Sequence, residues 1–236
     1  MAITFTTGET NSVLGSAATS VNIPTTPCTG ANRFAFVGAG NAGGSGDLVS
    51  SIVRGGSENF TELWDATYNG NAGHCGAYFI APAPSTAQTV VTWASSRNSC
   101  AAGIIMLSGV DQTTPVGTHQ TATGNSGTAS VTVSPNSSDW ICDFATTPNT
   151  AGLTVGADQT ERWQQTDGGA STAFASSTQL GSAGGVMSWT LSSNPWAIGA
   201  VPIIEAAGGG GSGGDLGGII RKVPIRPRQF APGLAR

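Results

Sequence analysis

Three acidic residues beside two aromatic ones form the densest group of chemically useful side chains in this sequence. Glu58, Glu62 and Asp65 flank Trp64 and lie close to Tyr68. Paired carboxylates next to aromatic rings are what glycoside hydrolysis or sugar binding requires. Catalytic carboxylates usually converge from separate strands, however, whereas acids at this local spacing fit a solvated turn or a short helix equally well. We therefore expect a solvated face, with ligand contact as the second interpretation and catalysis as the third.

The segment Gly38-Ala39-Gly40-Asn41-Ala42-Gly43 matches the pattern G-x-G-x-x-G and follows a predicted strand. A dinucleotide site of this type needs a helix that begins inside the motif, so that its first amide groups face the pyrophosphate. Here Gly44-Ser45-Gly46-Asp47 and a further predicted strand follow instead. The pattern therefore indicates a loop, and we expect no cofactor.

Other catalytic and metal-binding patterns find no support. His74 stands next to Cys75, but the second histidine, His119, is far along the chain, so a metal site or a Cys-His dyad has no independent evidence. A G-x-S-x-G nucleophile motif is also missing, and we expect a protein that is not an enzyme. The cysteines form no Cys-x-x-Cys pair and are interpreted as small buried fillers without disulfides: Cys28, Cys75, Cys100 and Cys142.

Composition excludes several classes of protein. Charged residues make up 9% of the chain, against about 25% in an average soluble domain, and 35 glycines replace the usual helix formers. A helical bundle is therefore excluded. Residues 1–206 hold twelve of the thirteen acids but only four arginines, which argues against nucleic-acid and anionic-membrane binding by this part. No apolar run is long enough to span a bilayer, and Met1–Thr7 does not resemble a signal peptide, so we expect synthesis in the cytoplasm.

The elements that position these residues are predicted to be strands. Short runs of β-branched and aromatic residues alternate with Gly, Pro, Asn and Ser, which is typical of an all-β, antiparallel β-sandwich of jelly-roll-like form. About a dozen strands are expected, and Ala101–Leu107 is apolar throughout, as at the centre of a sandwich. No convincing internal repeat is identified. The clearest strands are 33–37, 48–53, 76–81, 89–93, 103–107, 129–133, 140–144, 172–178, 186–191 and 196–204.

Six tryptophans could in principle form a stacking platform for sugars. Trp93, Trp140 and Trp189 fall within predicted strands of alternating pattern, so packing within the core is the simpler interpretation.

The chain divides into three parts by composition. Residues 1–206 form the predicted sandwich, 207–214 a Gly/Ser linker, and 215–236 an extended arm in which Pro224, Pro227 and Pro232 prevent a helix. The arm combines apolar and basic residues, so we expect it to bind a neighbouring protein by apolar anchors flanked by cations. The predicted partner-binding residues are Ile219, Ile220, Arg221, Lys222, Val223, Ile225, Arg226, Arg228, Phe230 and Leu234.

Two segments carry a resemblance to known proteins. Ile104–Val116, with its Ser108-Gly109-Val110-Asp111 turn, and Ser188–Ile204, with Trp189 and Trp196, resemble β-sandwich structural proteins of tailed bacteriophages and prophages. The resemblance covers roughly residues 1–205 and includes no catalytic residue. It implies a virion component that is made in the host cytoplasm and binds neighbouring virion proteins, either the major capsid protein or tail components, and copies of itself.

The resemblance leaves the position in the virion open. A capsid decoration or cement subunit is the first expectation. The alternative is a carbohydrate-binding, lectin-like or receptor-binding module of a tail or fibre, whose partner would be a surface glycan.

Overall fold

The computed structural model of this chain describes residues 1–42, 49–68, 72–84, 86–148, 152–167 and 172–207. These residues fold into two antiparallel sheets that pack against each other, which confirms the predicted all-β sandwich. The first sheet contains β1 (Thr4–Thr26), β2 (Phe34–Ala42), β3 (Val49–Arg54), β4 (Glu58–Asn59), β5 (Thr61–Tyr68), β6 (Ala72–Ile80) and β7 (Ala87–Ser108). The second sheet contains β8 (Gln120–Thr132), β9 (Trp140–Thr147), β10 (Thr154–Val155), β11 (Gln159–Asp167), β12 (Thr172–Leu180) and β13 (Val186–Ile203).

Each sheet is built from one continuous half of the chain, and the two halves have the same topology. In the first half the strand order is β1-β7-β2-β6-β5, with β3 beside the first part of β7. In the second half it is β8-β13-β9-β12-β11, with β10 beside the first part of β13. The strands correspond in chain order, β4 being an addition in the first half.

This correspondence extends to the sequence, so the expectation that the chain has no internal repeat was wrong. The same three residue types recur at the same spacing in β7 and β13. They are Trp93, Asn98 and Gly103 in β7, and Trp189, Asn194 and Gly199 in β13. Thr61-Glu62-Leu63-Trp64 in β5 matches Thr160-Glu161-Arg162-Trp163 in β11, and a register shift directly precedes the tryptophan in both. The chain is therefore a tandem duplication whose two halves have diverged.

Three apolar clusters stabilise the body. Successive residues of a strand face opposite sides of a sheet, and Phe36 accordingly lies in a cluster shared by both halves while Val37 lies in one confined to the first half. The second half has its own cluster around Ala145 and Trp189. The predicted central segment Ala101–Leu107 is fully buried, because its side chains enter the shared cluster on one face and the first-half cluster on the other.

Long bent strands make this arrangement possible. The sequence suggested separate strands at 89–93 and 103–107, and at 186–191 and 196–204, but each pair forms one continuous strand, β7 and β13. The pairing of β7 with β1 and of β13 with β8 is irregular in the middle of the strands. Trp93, in the first part of β7, belongs to the same apolar cluster as Val37 and Ala77 of β2 and β6.

The two halves contact each other through equivalent residues. Trp64 of the first half lies against Gly199 of the second, and Trp163 of the second half lies against Gly103 of the first. Because each contact is the counterpart of the other with the halves exchanged, a pseudo-twofold relation connects them. Gly38 and Phe144 stand opposite Gly103 and Gly199 in their respective sheets, and the Phe144 ring covers Gly38.

Candidate functional site

The predicted assembly arm lies outside the described residues, and so do all ten of its predicted partner-binding residues, Ile219 to Leu234. The structure does fix the end of the body. The Ala206 amide donates a hydrogen bond to the Gly109 carbonyl at 2.8 Å, and the Met1 amino group donates one to the Ala206 carbonyl, also at 2.8 Å. The linker therefore leaves the body beside Met1 and the turn that follows β7.

The acidic group around Trp64 does not form a catalytic pair. Glu58 binds Arg54, with 2.6 Å between Oε2 and Nη1, and also accepts a hydrogen bond from the Ala83 amide. Asp65 accepts a hydrogen bond from the Val49 amide at 2.8 Å. The expected turn or short helix is wrong, since these residues lie in β4 and β5. Two of the three carboxylates hold strands together, and Glu62 is exposed.

Trp64 is instead the centre of an aromatic group between the halves. Its indole N–H donates a hydrogen bond to Nδ1 of His74 at 3.0 Å, and its ring centroid lies 5.8 Å from that of His119. The two histidines, distant in sequence, thus both contact one tryptophan. Burial lowers the pKa of His74 to about 4, so its imidazole is neutral near pH 7. Cys75 faces the opposite side of β6, in the first-half core.

The described part of the glycine-rich motif, Gly38–Ala42, lies in a strand rather than in the predicted loop. Gly38 and Gly40 lie in β2, and a Cβ atom at either position would collide with Phe144 or Phe174. These glycines permit the two sheets to approach each other, which explains them without any phosphate ligand. The interpretation of the cysteines is confirmed, because all four are buried and free.

Sequence reasoning missed a buried carboxylate, Asp143 in β9. Its Oδ1 accepts hydrogen bonds from the Ser177 amide at 2.6 Å and the Ser177 hydroxyl at 2.9 Å, and its Oδ2 accepts one from the Trp189 indole at 2.7 Å. Burial raises the pKa of Asp143 to about 7, although the hydrogen bonds from Ser177 and Trp189 act in the opposite direction. The signal in the sequence was an acid in the middle of an apolar strand, Ile141-Cys142-Asp143-Phe144.

The first half lacks a polar network of this kind at the equivalent positions. The positions equivalent to Asp143 and Ser177 are Val37 and Ala77, by the correspondence of the strands. The equivalent of Trp189 is Trp93, whose buried Nε1 finds no hydrogen-bond partner among the described residues. The polar network thus distinguishes the halves while the fold stays the same, which points to a structural role for Asp143.

A surface hollow of about 250 Å³ lies at the edge of the second sheet. Trp140, which is half-buried, forms one wall, and the Arg162 guanidinium lies 5.7 Å from its ring and 4.0 Å from that of Phe5. Gln179 also lines the hollow, and its buried Oε1 has no partner within the described part of the chain. The remaining lining residues are Asp158, Thr160, Thr178 and Leu180. An aromatic wall with nearby amide and carboxylate groups can bind a polyol or sugar.

The other tryptophans do not form a sugar platform. Trp93 and Trp189 are almost completely buried, as expected, and Trp64, Trp163 and Trp196 are buried as well. The expectation of core packing is therefore confirmed for these five.

The most exposed strand of the second half is β8, at the edge of its sheet. It pairs with β13 along one side, and no described strand pairs with its other side. Its sequence, Gln-Thr-Ala-Thr-Gly-Asn-Ser-Gly-Thr-Ala-Ser-Val-Thr, contains neither a charge nor a proline. Such an edge offers a row of backbone N–H and C=O groups to an additional strand.

Comparisons with known proteins do not assign the chain to a family. No protein-family model matches the chain, and no curated protein is significantly similar to it in sequence. Among the described residues, no helix is long and apolar enough to cross a membrane, and no three His, Cys, Asp or Glu side chains are grouped as metal ligands.

Proposed function

We propose that this chain is a non-enzymatic structural subunit of a tailed-bacteriophage virion. The role that we propose first is that of a capsid decoration or cement protein. In this role the body provides a neutral, rigid sandwich, and residues 215–236 bind neighbouring virion proteins, including other copies of the chain.

The observation that carries this proposal is the difference in charge between body and arm. Of the four arginines of the body, Arg54 is fully buried against Glu58 and Arg162 lies over Phe5. The acids Glu9, Glu62 and Glu161 are exposed. The body surface is therefore acidic, although Asp139 and Asp143 are buried as well, whereas the arm holds five cations and one acid. This complementarity favours association between the arm of one subunit and the body of another.

The duplication agrees with the resemblance to phage proteins. The two segments that carry the resemblance, Ile104–Val116 and Ser188–Ile204, contain the last residues of β7 and most of the equivalent strand β13. They also meet in space, since Val110 bridges to Glu205 and Val116 to Ile203. The resemblance thus involves neighbouring segments of the two halves.

Incorporation into particles tests the proposal. Replacing Ile220, Ile225 and Phe230 by Ser removes apolar anchors worth about 1.5–3 kcal/mol each when buried, so we expect at least a tenfold loss of copies per purified particle, measured by quantitative mass spectrometry. The matched control replaces Arg221, Lys222, Arg226 and Arg228 by Gln and should weaken incorporation less at high salt. Full incorporation of the Ser variant, together with loss of the Gln variant, would show instead that the arm binds packaged nucleic acid.

A second function, glycan binding by a tail or fibre module, is favoured by the hollow beside Trp140. If it is correct, saccharides should quench or shift tryptophan fluorescence of the full chain, and Trp140→Ala should abolish both this signal and binding to a glycan array. Gln179→Ala should weaken binding, while Gln112→Ala, at an amide that does not line the hollow and that bonds the Arg33 carbonyl, should not. Absence of saturable binding to any glycan would reject this function.

A further inference from the structure

The open edge of β8 is unusual in lacking protection. Natural edge strands commonly carry charges, prolines or covering segments that prevent pairing with another chain. Six of the first nine residues of β8 are exposed, and none of its thirteen residues is charged. Its edge is therefore accessible over most of Gln120–Thr128, as far as the described residues show.

The equivalent edge in the first half is partly closed. In β1, the Ser12 hydroxyl lies 3.2 Å from Oε1 of Gln165 in β11, and Arg162, from the same strand, covers Phe5. The strand also contains Glu9 and Pro24, which hinder pairing with a further strand. The pseudo-twofold relation thus leaves one of two equivalent edges without a covering segment among the described residues.

The arm has the composition of a strand that could occupy this edge. Ile219, Ile220 and Val223 are β-branched, and Gly217-Gly218 precedes them. Pro224 follows these residues directly and ends the strand, because proline cannot continue the ladder of hydrogen bonds.

Geometry favours the arm of a second copy over that of the same chain. The body ends beside Ile203, near the Gln120 end of β8, and β8 runs from there to Thr132. An arm that pairs in the antiparallel sense found throughout both sheets has to enter from the Thr132 end of β8. Residues 207–218 span about 40 Å when fully extended, which is no more than the length of β8 itself. A chain could hardly reach its own edge in this direction.

We propose that residues 219–223 of one copy add as an antiparallel strand to the β8 edge of the next copy. This inference rests on the proposed function, because it specifies the surface to which the assembly arm binds. Repeated along a particle, the contact links subunits head to tail.

Cysteine trapping tests the contact directly. Full-length Thr128→Cys, with its exposed site in β8, is mixed with full-length Arg221→Cys under mild oxidation. We expect a covalent dimer from the mixture and far less from either variant alone. The native cysteines do not interfere, because they are buried. The matched control pairs Arg221→Cys with Thr19→Cys, which is exposed on the edge of the first half. Equal crosslinking of Thr19 and Thr128, or an intramolecular crosslink only in the double variant, would overturn the proposal.

A change of charge on the edge provides the second measurement. Thr128→Lys should abolish self-association in sedimentation experiments, because in this pairing the new cation lies beside Arg221, whereas Thr128→Glu should preserve or strengthen it. Circular dichroism verifies that both variants fold. Loss of particle incorporation in the Ser variant of the arm, without any β8 crosslink, would retain the proposed function and reject this inference. Crosslinking at β8 by a chain that is absent from particles would retain the contact between the arm and β8 and reject the proposed function.

Discussion

Two buried titratable side chains, Asp143 and His74, have pKa values displaced in opposite directions. Burial raises the pKa of Asp143 from 3.8 to about 7 and lowers that of His74 from 6.5 to about 4. Between pH 4 and 6.5 the folded protein therefore retains a proton on Asp143 that the unfolded chain releases, and lacks one on His74 that the unfolded chain binds. The two contributions to the pH dependence of stability cancel in this range.

Substituting either Asp143 or His74 should reveal how the other group alone makes stability depend on pH. In Asp143→Asn the free energy of unfolding should rise with pH between 4 and 6.5, because only His74 remains, with a slope approaching about 1.4 kcal/mol per pH unit. In His74→Gln the free energy of unfolding should fall with pH by a similar slope, because over this range the unfolded chain releases the Asp143 proton that the folded protein retains. Urea unfolding at several pH values measures both slopes. Parallel curves for the two variants would contradict the assignment.

The equivalent tryptophans Trp93 and Trp189 allow a matched comparison. Trp189→Phe removes a hydrogen bond to the Asp143 carboxylate, which costs about 1.5–3 kcal/mol above pH 7, whereas the indole N–H of Trp93 has no partner among the described residues. We therefore expect Trp189→Phe to destabilise the protein more than Trp93→Phe at pH 8. The difference in destabilisation between the two variants should be smaller at pH 5, where Asp143 is protonated. Equal losses at pH 8 would show that the hydrogen bond contributes nothing net.

At the scale of elements, the approach of the two sheets depends on glycines in their central strands. A Cβ atom at Gly103 would overlap the Trp163 ring, and one at Gly199 would overlap the Trp64 ring. Alanine at either position should therefore destabilise the protein by about 1–3 kcal/mol, and by similar amounts because the contacts are equivalent. Gly127→Ala in β8 is the control, since its nearest neighbour, the Leu191 carbonyl, is 3.4 Å away. Thermal unfolding measures all three; a loss confined to one central glycine would argue against equivalent packing.

Strands rich in β-branched residues were predictable from the sequence, and polar or bent strands were not. The prediction for 140–144 located β9 because Trp140-Ile141-Cys142 is apolar. The prediction divided β7 because Ser95-Ser96-Arg97-Asn98 has the composition of a turn. The strand nevertheless continues through these residues, since Arg97 and Asn98 pair with β1 and the pairing resumes at Thr92 after a register shift. β1 itself was missed, since its threonines, serines and glycines give no apolar alternation. Neighbouring strands supply the hydrogen bonds that hold it, and a single sequence does not display them.

Among the candidate sites, too, some could be predicted from the sequence and others only from the folded structure. Composition alone singled out the arm, because its prolines and cations differ from the body. The hollow beside Trp140 could not be predicted, since Trp140, Asp158 and Gln179 lie on three separate segments of the chain that only the folded sheet brings together. The β8 edge is recognisable only when the strand order is known.

At the scale of the whole molecule, the duplication makes the halves dependent on each other. Each half encloses its own core, but Phe36, Phe144 and Phe174 lie in the cluster between them, together with Trp64 and Trp163. An isolated half would expose this surface to water. The pseudo-twofold contact thus resembles the interface of an obligate dimer whose subunits have been joined in one chain.

Separating the halves tests this dependence. The connection between them is exposed at Thr113 and Thr114, whose amides both donate hydrogen bonds to Asp111. A cut between these two threonines leaves every strand intact. We expect fragments 1–113 and 114–236 each to lack cooperative unfolding and near-ultraviolet tryptophan signals when alone, because the shared cluster is exposed in both. Mixed in equal amounts, they should form a complex that regains these signals and elutes as one species. If either fragment folds stably by itself, its own core is sufficient, and the shared cluster joins two independent domains.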